Sequence, residues 1–372
     1  MTPTIVVGGA LANKLGSGGE AWVRLSWIRG LQRIGFDVWF IEQVDDPAPE
    51  QLDYFDRVVG AFGLADRASM LSRDGVVRGP SLTTLVGVAE ESTLVNISGH
   101  IDAGALFPHF RSRVYVDIDP GFTQSWYAAG LPGARLDGHD HHVTIAERMG
   151  QADCLIPTCG LRWTTVRQPV VLDDWPLIES VIPMRFTTVG SWRGPFGPVT
   201  IDGRTYGLKV HEFRRFITLP SVAHHRFELA LDIHAADEPD AQALLDNGWE
   251  LVDPRRAAFD PERFREYVQA SAAEFSVAQG VYVGTNSGWF SDRTVRYLAS
   301  GRPALVQDTG FSRTLPTGTG LVGFRTLDEA VRGANYIVTR YGEHASAARD
   351  IAIRYFDSQQ VLARFCEQCD IR

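Results

Sequence analysis

Lysine is almost absent from this sequence. The 372 residues include 36 basic ones, of which only Lys14 and Lys209 are lysines. Arginine can replace lysine wherever only a positive charge is needed, but a compact ammonium and a planar guanidinium differ in donor geometry. We therefore predict that the two lysines lie where an ammonium matters, the alternative being chance retention at ordinary surface positions.

The sequence also lacks a run of basic residues, and its net charge is -9. Because nucleic-acid affinity depends largely on neutralising phosphates, this balance predicts no nucleic-acid partner. No apolar stretch reaches the roughly 18 residues of a membrane-spanning helix, so no transmembrane segment is expected. The start, MTPTIVVGGALANK, has no basic segment before its apolar residues, which indicates a first strand rather than a signal peptide. We expect a cytoplasmic protein.

Metal-binding patterns are sparse. The cysteines are Cys154, Cys159, Cys366 and Cys369. Their spacings are compatible with zinc ligands, but reduced and partly buried thiols are the simpler interpretation. A second candidate is the run His139, Asp140, His141 and His142. Histidines clustered in a glycine-rich loop more often face solvent, so we predict no metal and no tightly bound cofactor.

Apolar periodicity predicts that strands and helices alternate along the chain. Predicted strands cover residues 4–9, 36–41, 94–98, 114–118, 154–156, 186–189, 227–233, 249–252, 281–283 and 304–308. Predicted helices cover residues 20–35, 209–219, 239–247, 261–270, 292–299 and 326–338, with one or two more in 344–369. Thr326 with Glu329 three residues on predicts a capping box at the start of the 326–338 helix. This alternation is typical of the α/β class with parallel sheets.

The proline-punctuated segment 166–183 lacks a clean period and is predicted to link two domains. We place residues 1–180 in a first Rossmann-like, doubly wound domain and residues 181–343 in a second. Ligands bind at the carboxyl edge of parallel strands. The loop 286–293 and the residues after strand 304–308 should therefore lie side by side at that edge.

That loop has the features of an anion site. Ser291 or Asp292 can cap the helix that follows, whose N-terminus presents free N–H groups and the positive end of the helix dipole. Phosphates bind well at such an end, and Arg293 can add a fork of donors. Asp308, one strand away, can accept hydrogen bonds from hydroxyl groups. The pattern suits a nucleotide sugar, the alternative being a capped helix beside a surface carboxylate.

The stretch from 281 to 310, VYVGTNSGWFSDRTVRYLASGRPALVQDTG, resembles the donor segment of GT-B glycosyltransferases. In that class a strand, a glycine-bearing loop, a helix and an alanine–glycine–proline turn lead to a strand followed by an acidic residue. The next residues, GLVGFRTLDEA, resemble the strand and helix that come after it. The sequence departs from two branches, because Asn286-Ser287-Gly288 replaces a His-Gly-Gly and the paired glutamates seven residues apart are missing. The subfamily therefore stays open.

The resemblance implies two Rossmann-like domains facing across a cleft, with the C-terminal helix in 344–372 returning to the first domain. It implies transfer of a sugar from a UDP-, TDP- or GDP-sugar to a hydroxyl of a small-molecule or glycan acceptor. The first domain would bind the acceptor and the second the donor. The implied donor-binding residues are Gly190, Trp192, Lys209, Glu212, Asn286, Ser287, Gly288, Trp289, Ser291, Asp292, Arg293, Asp308 and Thr309. The loop Gly16, Ser17, Gly18 and Gly19 would reach toward acceptor and donor phosphate.

If the transfer inverts the configuration of the sugar, a catalytic base should come from the first half, and two residues after its strands are candidates. Histidine near neutral pH is a natural proton acceptor, which favours His100. Asp117 and Asp119 alternate with Ile118, so both carboxylates should point to one side of the chain, and close carboxylates raise one pKa. This favours Asp119 as the second candidate.

Other functions remain open at the level of sequence. A nucleotide-sugar epimerase of the same fold would use the same donor loop without an acceptor, and a non-catalytic protein would bind the donor without turnover. An NAD-dependent oxidoreductase would use residues 16–42, with Glu42 on the cofactor ribose. The glycines at 16–19 match a dinucleotide fingerprint by letters but do not follow the first strand directly. The sequence does not reveal the sugar, the base, the stereochemistry or the oligomeric state.

Overall fold

The structure is a computed structural model, and it describes residues 2–102, 104–131, 133–178 and 183–372. Within these residues the strands form two main sheets and one small hairpin. One main sheet is built from residues 4–165 and the other from residues 186–324. The chain therefore divides into a first half and a second half. The predicted boundary at 180/181 lies outside the described residues.

The first half is built on a sheet of eight strands within the described residues. These are β1 (Thr4–Gly8), β2 (Asp37–Gln43), β3 (Ala68–Ser72), β4 (Gly75–Arg78), β5 (Thr93–Ile97), β6 (Ser112–Asp117), β7 (His141–Thr144) and β8 (Trp163–Thr165). Their order is β4-β3-β2-β1-β5-β6-β7-β8, and only the β3–β4 pair is antiparallel. The strand order reverses beside β1. Doubly wound sheets bind their ligands at such a reversal.

The second half repeats this plan. Its six-stranded sheet contains β9 (Phe186–Ser191), β12 (Phe227–Asp232), β13 (Trp249–Leu251), β14 (Ala273–Ser276), β15 (Ala304–Gln307) and β16 (Leu321–Phe324). The order is β13-β12-β9-β14-β15-β16, and every pair is parallel. The antiparallel hairpin of β10 (Val199–Ile201) and β11 (Arg204–Tyr206) stands apart from this sheet.

Helices connect the strands in both halves. The first half contains α1 (Gly18–Arg33), α2 (Pro49–Ala61), α3 (Leu82–Glu90) and α4 (Phe122–Ala128). They are followed by α5 (Lys209–Phe213), α6 (Leu219–Ala223), α7 (Glu238–Asp246), α8 (Pro254–Ala258), α9 (Pro261–Gln269), α10 (Gly280–Gly284), α11 (Asp292–Ala299), α12 (Leu327–Thr339), α13 (Tyr341–Phe356) and α14 (Ser358–Gln368). Among the described residues, no helix combines the length and apolar character needed to cross a membrane.

Local sequence explains several helix ends. The Thr326 hydroxyl accepts from the Glu329 N–H, and the Glu329 carboxylate accepts from the Thr326 N–H, so a capping box starts α12 as predicted. Gly35, with φ of +100°, takes the left-handed conformation just after α1. The predicted doubly wound α/β class is confirmed.

Two strand predictions are wrong. Residues 281–283 lie in α10 instead, and the strand of this unit is β14, eight residues earlier. Residues 154–156 are loop, and the last strands of the first sheet are β7 and β8. In both predictions the signal was a short apolar run. Such a run is equally compatible with a buried helix or a buried loop, because burial alone does not reveal whether the residues repeat with the period of a strand.

The C-terminal helices join the two halves. Helix α13 packs against α11 in the second half, and α14 packs against α1 in the first. Trp27 on α1 and Phe365 on α14 meet edge to face with ring centroids 5.0 Å apart. A Cβ on Gly30 would lie 2.5 Å from Leu362, so glycine permits the close approach of α1 and α14. The predicted return of the chain to the first half is thus made by α14.

Candidate active site

A cavity of about 1740 Å³ lies between the two halves. It is lined by residues that follow β1, β5 and β6 in the first sheet and β9, β12, β13 and β14 in the second. The carboxyl edges of both sheets therefore face one space, as expected for doubly wound domains. The predicted residues that line it are Gly16, Ser17, Gly19, His100, Asp119, Gly190, Lys209, Trp289, Ser291, Asp292 and Arg293.

Two helices begin at this cavity from opposite sides. Ser17 precedes α1 and Ser291 precedes α11, and both line the cavity. Neither serine side chain accepts a capping hydrogen bond. The first N–H groups of each helix thus lack the usual side-chain partner, and the positive ends of two helix dipoles lie at the same cavity. This pairing is suited to an anion.

Both lysines of the chain line the same cavity, although they are far apart in sequence. Within the described residues neither forms an ion pair. Burial, followed by the charge of Arg293, lowers the Lys209 pKa from 10.5 to about 7. A Cβ added to Gly190 would stand 3.5 Å from Lys209 Nζ and 3.8 Å from Arg293 Nη1. The end of β9 thus lies close to the side chains of Lys209 and Arg293, and the residue at this point, Gly190, has no side chain.

Arg293 is held more firmly than the sequence suggests. Its Nε donates to Glu274 Oε1 at 2.6 Å, Nη1 to the Val189 carbonyl at 2.8 Å and Nη2 to Ser276 Oγ at 2.6 Å. The Glu274 side chain is fully buried. Arg293 therefore neutralises a buried carboxylate while its guanidinium borders the cavity.

This ion pair makes Arg293→Ala a test of stability first. The substitution leaves Glu274 buried without a counter-charge, which typically costs about 3–5 kcal/mol. We expect urea unfolding to show that the free energy of unfolding falls by that amount. Adding Glu274→Gln removes the stranded charge and should recover a large part of it; equal losses in the single and double variants would contradict this account.

Asp119 and His100 both border the cavity but differ in basicity. Burial, together with the charges of Glu20 and Asp117, raises the Asp119 pKa to about 7. Burial, together with Arg24 and Lys14, lowers the His100 pKa to about 3. A base works best when its pKa is near the working pH. The geometry and charge of the site therefore favour Asp119.

The neighbouring Asp117 has a structural role. Its carboxylate accepts hydrogen bonds from the side chains of Thr123, Gln124 and Thr144 and from the Asp119 N–H, at 2.9–3.1 Å. It is fully buried. These four donors occupy the carboxylate and fix the turn after β6, which directs Asp119 toward the cavity.

The glycine loop 16–19 is a point of contact between the halves. A Cβ on Gly18 would lie 2.0 Å from the Asp260 carbonyl oxygen, and one on Gly19 would lie 3.1 Å from the Phe264 ring. Trp22 on α1 donates its indole N–H to the Pro261 carbonyl at 2.7 Å. Glycine is required at 18 because α1 starts against the backbone of the second half.

Seven of the predicted donor-binding residues lie outside the cavity lining, and Trp192 and Glu212 are two of them. The Trp192 side chain is fully buried in the core of the second half, where its indole N–H donates to Asp240 at 2.9 Å. Glu212 accepts from Gln307 Nε2 at 2.7 Å and pairs with Arg215. Side chains alternate along β9, and Trp192 shares the side of Phe186, so its ring turns into the core.

The loop at 286–288 makes contacts with the first half instead of lining the cavity. Asn286, with φ of +54°, donates to the Asp153 carboxylate at 3.0 Å. The Ser287 carbonyl accepts from the Arg148 N–H, and a Cβ on Gly288 would meet Arg148 at 2.7 Å. Residues 281–283 form part of α10 and not a strand of the sheet. The loop 286–288 therefore does not lie at the carboxyl edge of the sheet, and the chain reaches the cavity again only at the start of α11.

Asp308 and Thr309 are also outside the main cavity. Asp308 accepts from the Gly310 and Ser312 N–H groups and the Ser312 hydroxyl, and it pairs with Arg325. It borders a separate hollow of about 320 Å³. The Thr309 hydroxyl donates to the Trp289 carbonyl at 2.5 Å. Roles for these residues in sugar binding remain predictions without support from their position.

The Glu42 carboxylate is already occupied by hydrogen bonds from the backbone. Its carboxylate accepts from the N–H groups of Leu11, Ala12 and Asn13 at 2.7–2.8 Å, and only 1% of the residue is exposed. It fixes the loop after β1 and is not accessible to a ribose hydroxyl. The NAD-dependent oxidoreductase alternative therefore lacks the acidic residue that would bind the cofactor ribose.

Within the described residues, no three His, Cys, Asp or Glu side chains converge as a metal site. His139 and His142 are half-buried where solvent-facing side chains were predicted; they pack around Tyr115, and each donates a ring N–H to the Leu136 carbonyl. The four cysteines are free thiols, two of them buried.

The sequence did not identify Tyr282 as a site residue. Its hydroxyl donates to Asp119 Oδ1 at 3.2 Å across the two halves. Phe196, after β9, was also missed; it meets Trp126 with ring centroids 4.7 Å apart at the cavity. Tyr282 lies in the segment that resembles a donor motif, but only as part of a predicted strand, and tertiary packing brings both residues to the cleft.

No protein-family model matches the chain, and no curated protein matches its sequence. Solved structures do match. Anabaena HepE in complex with UDP and glucose has a TM-score of 0.61 at 13% identity, covering 99% of both chains. AviGT4, a glycosyltransferase involved in avilamycin A biosynthesis, has a TM-score of 0.60 at 13% identity, covering 99% of this chain and 97% of that one.

An alpha-glucosyltransferase in complex with UDP has a TM-score of 0.62 at 8% identity, covering 100% of both chains. Similarity over the full length, with two doubly wound halves around one cleft, defines the fold class. The chain has the GT-B fold, as the resemblance in the donor segment implied.

Proposed function

We propose that this protein is a glycosyltransferase that moves a sugar from a nucleotide diphosphate sugar to an acceptor hydroxyl. The observation that carries the proposal is the convergence of two uncapped helix starts with Lys14, Lys209 and Arg293 on one cavity between the halves. Such a set of donors and positive charges suits a diphosphate, which leaves with extra negative charge. The similar structures support this proposal, because HepE and the alpha-glucosyltransferase were determined with UDP.

The donor diphosphate would lie between the first turn of α11 and Lys209. The backbone at Gly190 leaves room beside Lys209 Nζ and Arg293 Nη1. These groups would stabilise the charge that develops as the bond between the sugar and the diphosphate breaks. A protonated Lys209 is needed, and an arriving diphosphate favours that form because an opposite charge raises the pKa of an amine.

The acceptor would approach from the first half. Asp119 borders the cavity there, with Tyr115, Trp126 and Phe196 along the adjoining wall. A carboxylate with a pKa of about 7 can take the proton of the attacking hydroxyl near neutral pH. Aromatic walls suit the apolar face of a sugar ring or an aglycone. The acceptor class stays a small molecule or glycan.

A nucleic-acid acceptor is not proposed. The alpha-glucosyltransferase was also determined with UDP and a 13-mer DNA. This chain has a net charge of -9, and phosphate neutralisation needs a positively charged surface.

A thermal-shift panel with UDP, TDP, GDP, inorganic diphosphate and NADH tests donor binding. A ligand at a hundred times its Kd stabilises the native state by about 2.7 kcal/mol, so one nucleotide diphosphate should raise Tm clearly. A rise with NADH alone would overturn the proposal.

A turnover assay then separates transfer from its alternatives. We expect the matching nucleotide sugar to release nucleoside diphosphate when an acceptor is supplied. An epimerase would convert the donor without any acceptor, and a binding protein would release nothing. Either result across a broad acceptor panel would contradict the proposal.

A further inference from the structure

Among the residues that the structure describes, one side chain donates to the Asp119 carboxylate, and it comes from the opposite half. Tyr282 Oη donates to Asp119 Oδ1 at 3.2 Å. The other hydrogen bonds of this turn are made by the Asp119 backbone, whose N–H donates to Asp117 and whose carbonyl accepts from Thr123. The second oxygen of the Asp119 carboxylate is therefore left for a ligand in the cavity.

Packing fixes the Tyr282 hydroxyl. Tyr282 lies on α10, and only 4% of it is exposed. Its ring stacks on Trp289 with centroids 4.3 Å apart and meets Phe122 of the first half edge to face at 6.0 Å. A ring held on both sides has little rotational freedom, so the direction of its O–H is set by the contact between the halves.

We propose that Tyr282 is a positioning residue for the catalytic base Asp119, aligning its carboxylate only when the two halves are together. This role rests on the proposed function. It extends that function by coupling the orientation of the base to the contact across the cleft, through a residue outside the predicted site.

In the reaction, the acceptor oxygen forms a bond to the anomeric carbon while its proton passes to the free oxygen of Asp119. The bond between the anomeric carbon and the diphosphate oxygen breaks, and its electron pair leaves with the nucleoside diphosphate. Tyr282 keeps its own proton throughout, since burial beside Asp119 raises its pKa far above neutrality. It acts by orienting the carboxylate.

The charges that face Asp119 define the expected pH dependence. Glu20 on α1 and Asp117 on the same turn raise the Asp119 pKa, while Lys14 and the Tyr282 hydrogen bond lower it. Loss of the hydroxyl should therefore raise the Asp119 pKa. Because the base must be unprotonated, the ascending limb of the rate profile should move to higher pH.

The test is Tyr282→Phe, which keeps the stacked ring and removes only Oη. We expect kcat to fall about tenfold, in line with the strength of one hydrogen bond to a charged group. The KM for the donor and the donor-induced rise in Tm should be unchanged, and the ascending limb of kcat should move to higher pH. The Asp119 carboxyl signal in carbon NMR should titrate at correspondingly higher pH.

Tyr206→Phe is the matched control, because Tyr206 belongs to the same apolar cluster but does not contact Asp119. It should leave kcat and the pH profile at wild-type values. An unmoved profile in Tyr282→Phe, or a fall in kcat accompanied by a lower Tm and weaker donor binding, would overturn the positioning role alone. Absence of transfer by the wild-type protein would overturn the proposed function as well.

Discussion

Replacing Lys209 with alanine is expected to lower kcat by roughly a hundred- to a thousand-fold, the usual effect of losing one donor that stabilises developing charge. Lys209 Nζ stands at the cavity beside Gly190 and Arg293, with no ion pair in the described part of the chain. Folding should tolerate the change, because Lys209 neutralises no buried carboxylate. The measurement is steady-state kinetics together with Tm.

Lys209→Arg is the matched variant for this prediction. It keeps a positive charge but replaces a compact ammonium with a planar guanidinium beside Arg293. If the geometry of the ammonium matters, this variant should recover only part of the lost rate. Wild-type turnover by Lys209→Arg would end the argument from the scarcity of lysine, and wild-type turnover by Lys209→Ala would remove the residue from catalysis.

The lowered pKa of Lys209 has a consequence for binding that can be measured without turnover. Between pH 7 and 10.5 an unfolded chain holds this proton and the unliganded fold does not, so Lys209 makes stability rise with pH in that window. A bound diphosphate restores the ammonium. Calorimetry at pH 8 in buffers of different ionisation enthalpy should show proton uptake on UDP binding, and Lys209→Ala should abolish that uptake.

Asp119→Asn is the second change with a large expected effect. It removes the proton acceptor while keeping the size of the side chain, and general bases contribute typically about a hundred- to ten-thousand-fold. We expect kcat to fall within that range and the UDP-induced rise in Tm to persist, since Asp119 is not among the groups proposed to hold the diphosphate. The ascending limb of the pH–rate profile near pH 7 should disappear, because the carboxylate that titrates there is removed.

His100→Gln provides the comparison. His100 borders the same cavity, but its pKa of about 3 makes it a weak base near neutral pH. A modest effect of His100→Gln beside a large effect of Asp119→Asn would support the assignment. The reverse order would transfer the role of base to His100.

The sequence by itself determined the two-part α/β plan and several residues of the proposed anion site. Periodicity located most strands, and capping chemistry located the start of α12, because both are local properties of the chain. The scarcity of lysine drew attention to Lys14 and Lys209, and both border the cavity. The start of α11 was also predicted correctly, but the predicted side-chain cap is not made, because the Ser291 hydroxyl accepts no capping bond and the Asp292 carboxylate accepts from Arg296.

Only the tertiary structure decided which polar residues reach the cleft. The apolar run at 281–283 is helical, so Asn286 and Gly288 contact the first half, and Trp192 turns into the core. Tyr282 reaches Asp119 across the halves although they are far apart in sequence. The physical reason is that local signals set secondary structure, whereas partners across a cleft depend on how two sheets and their loops pack.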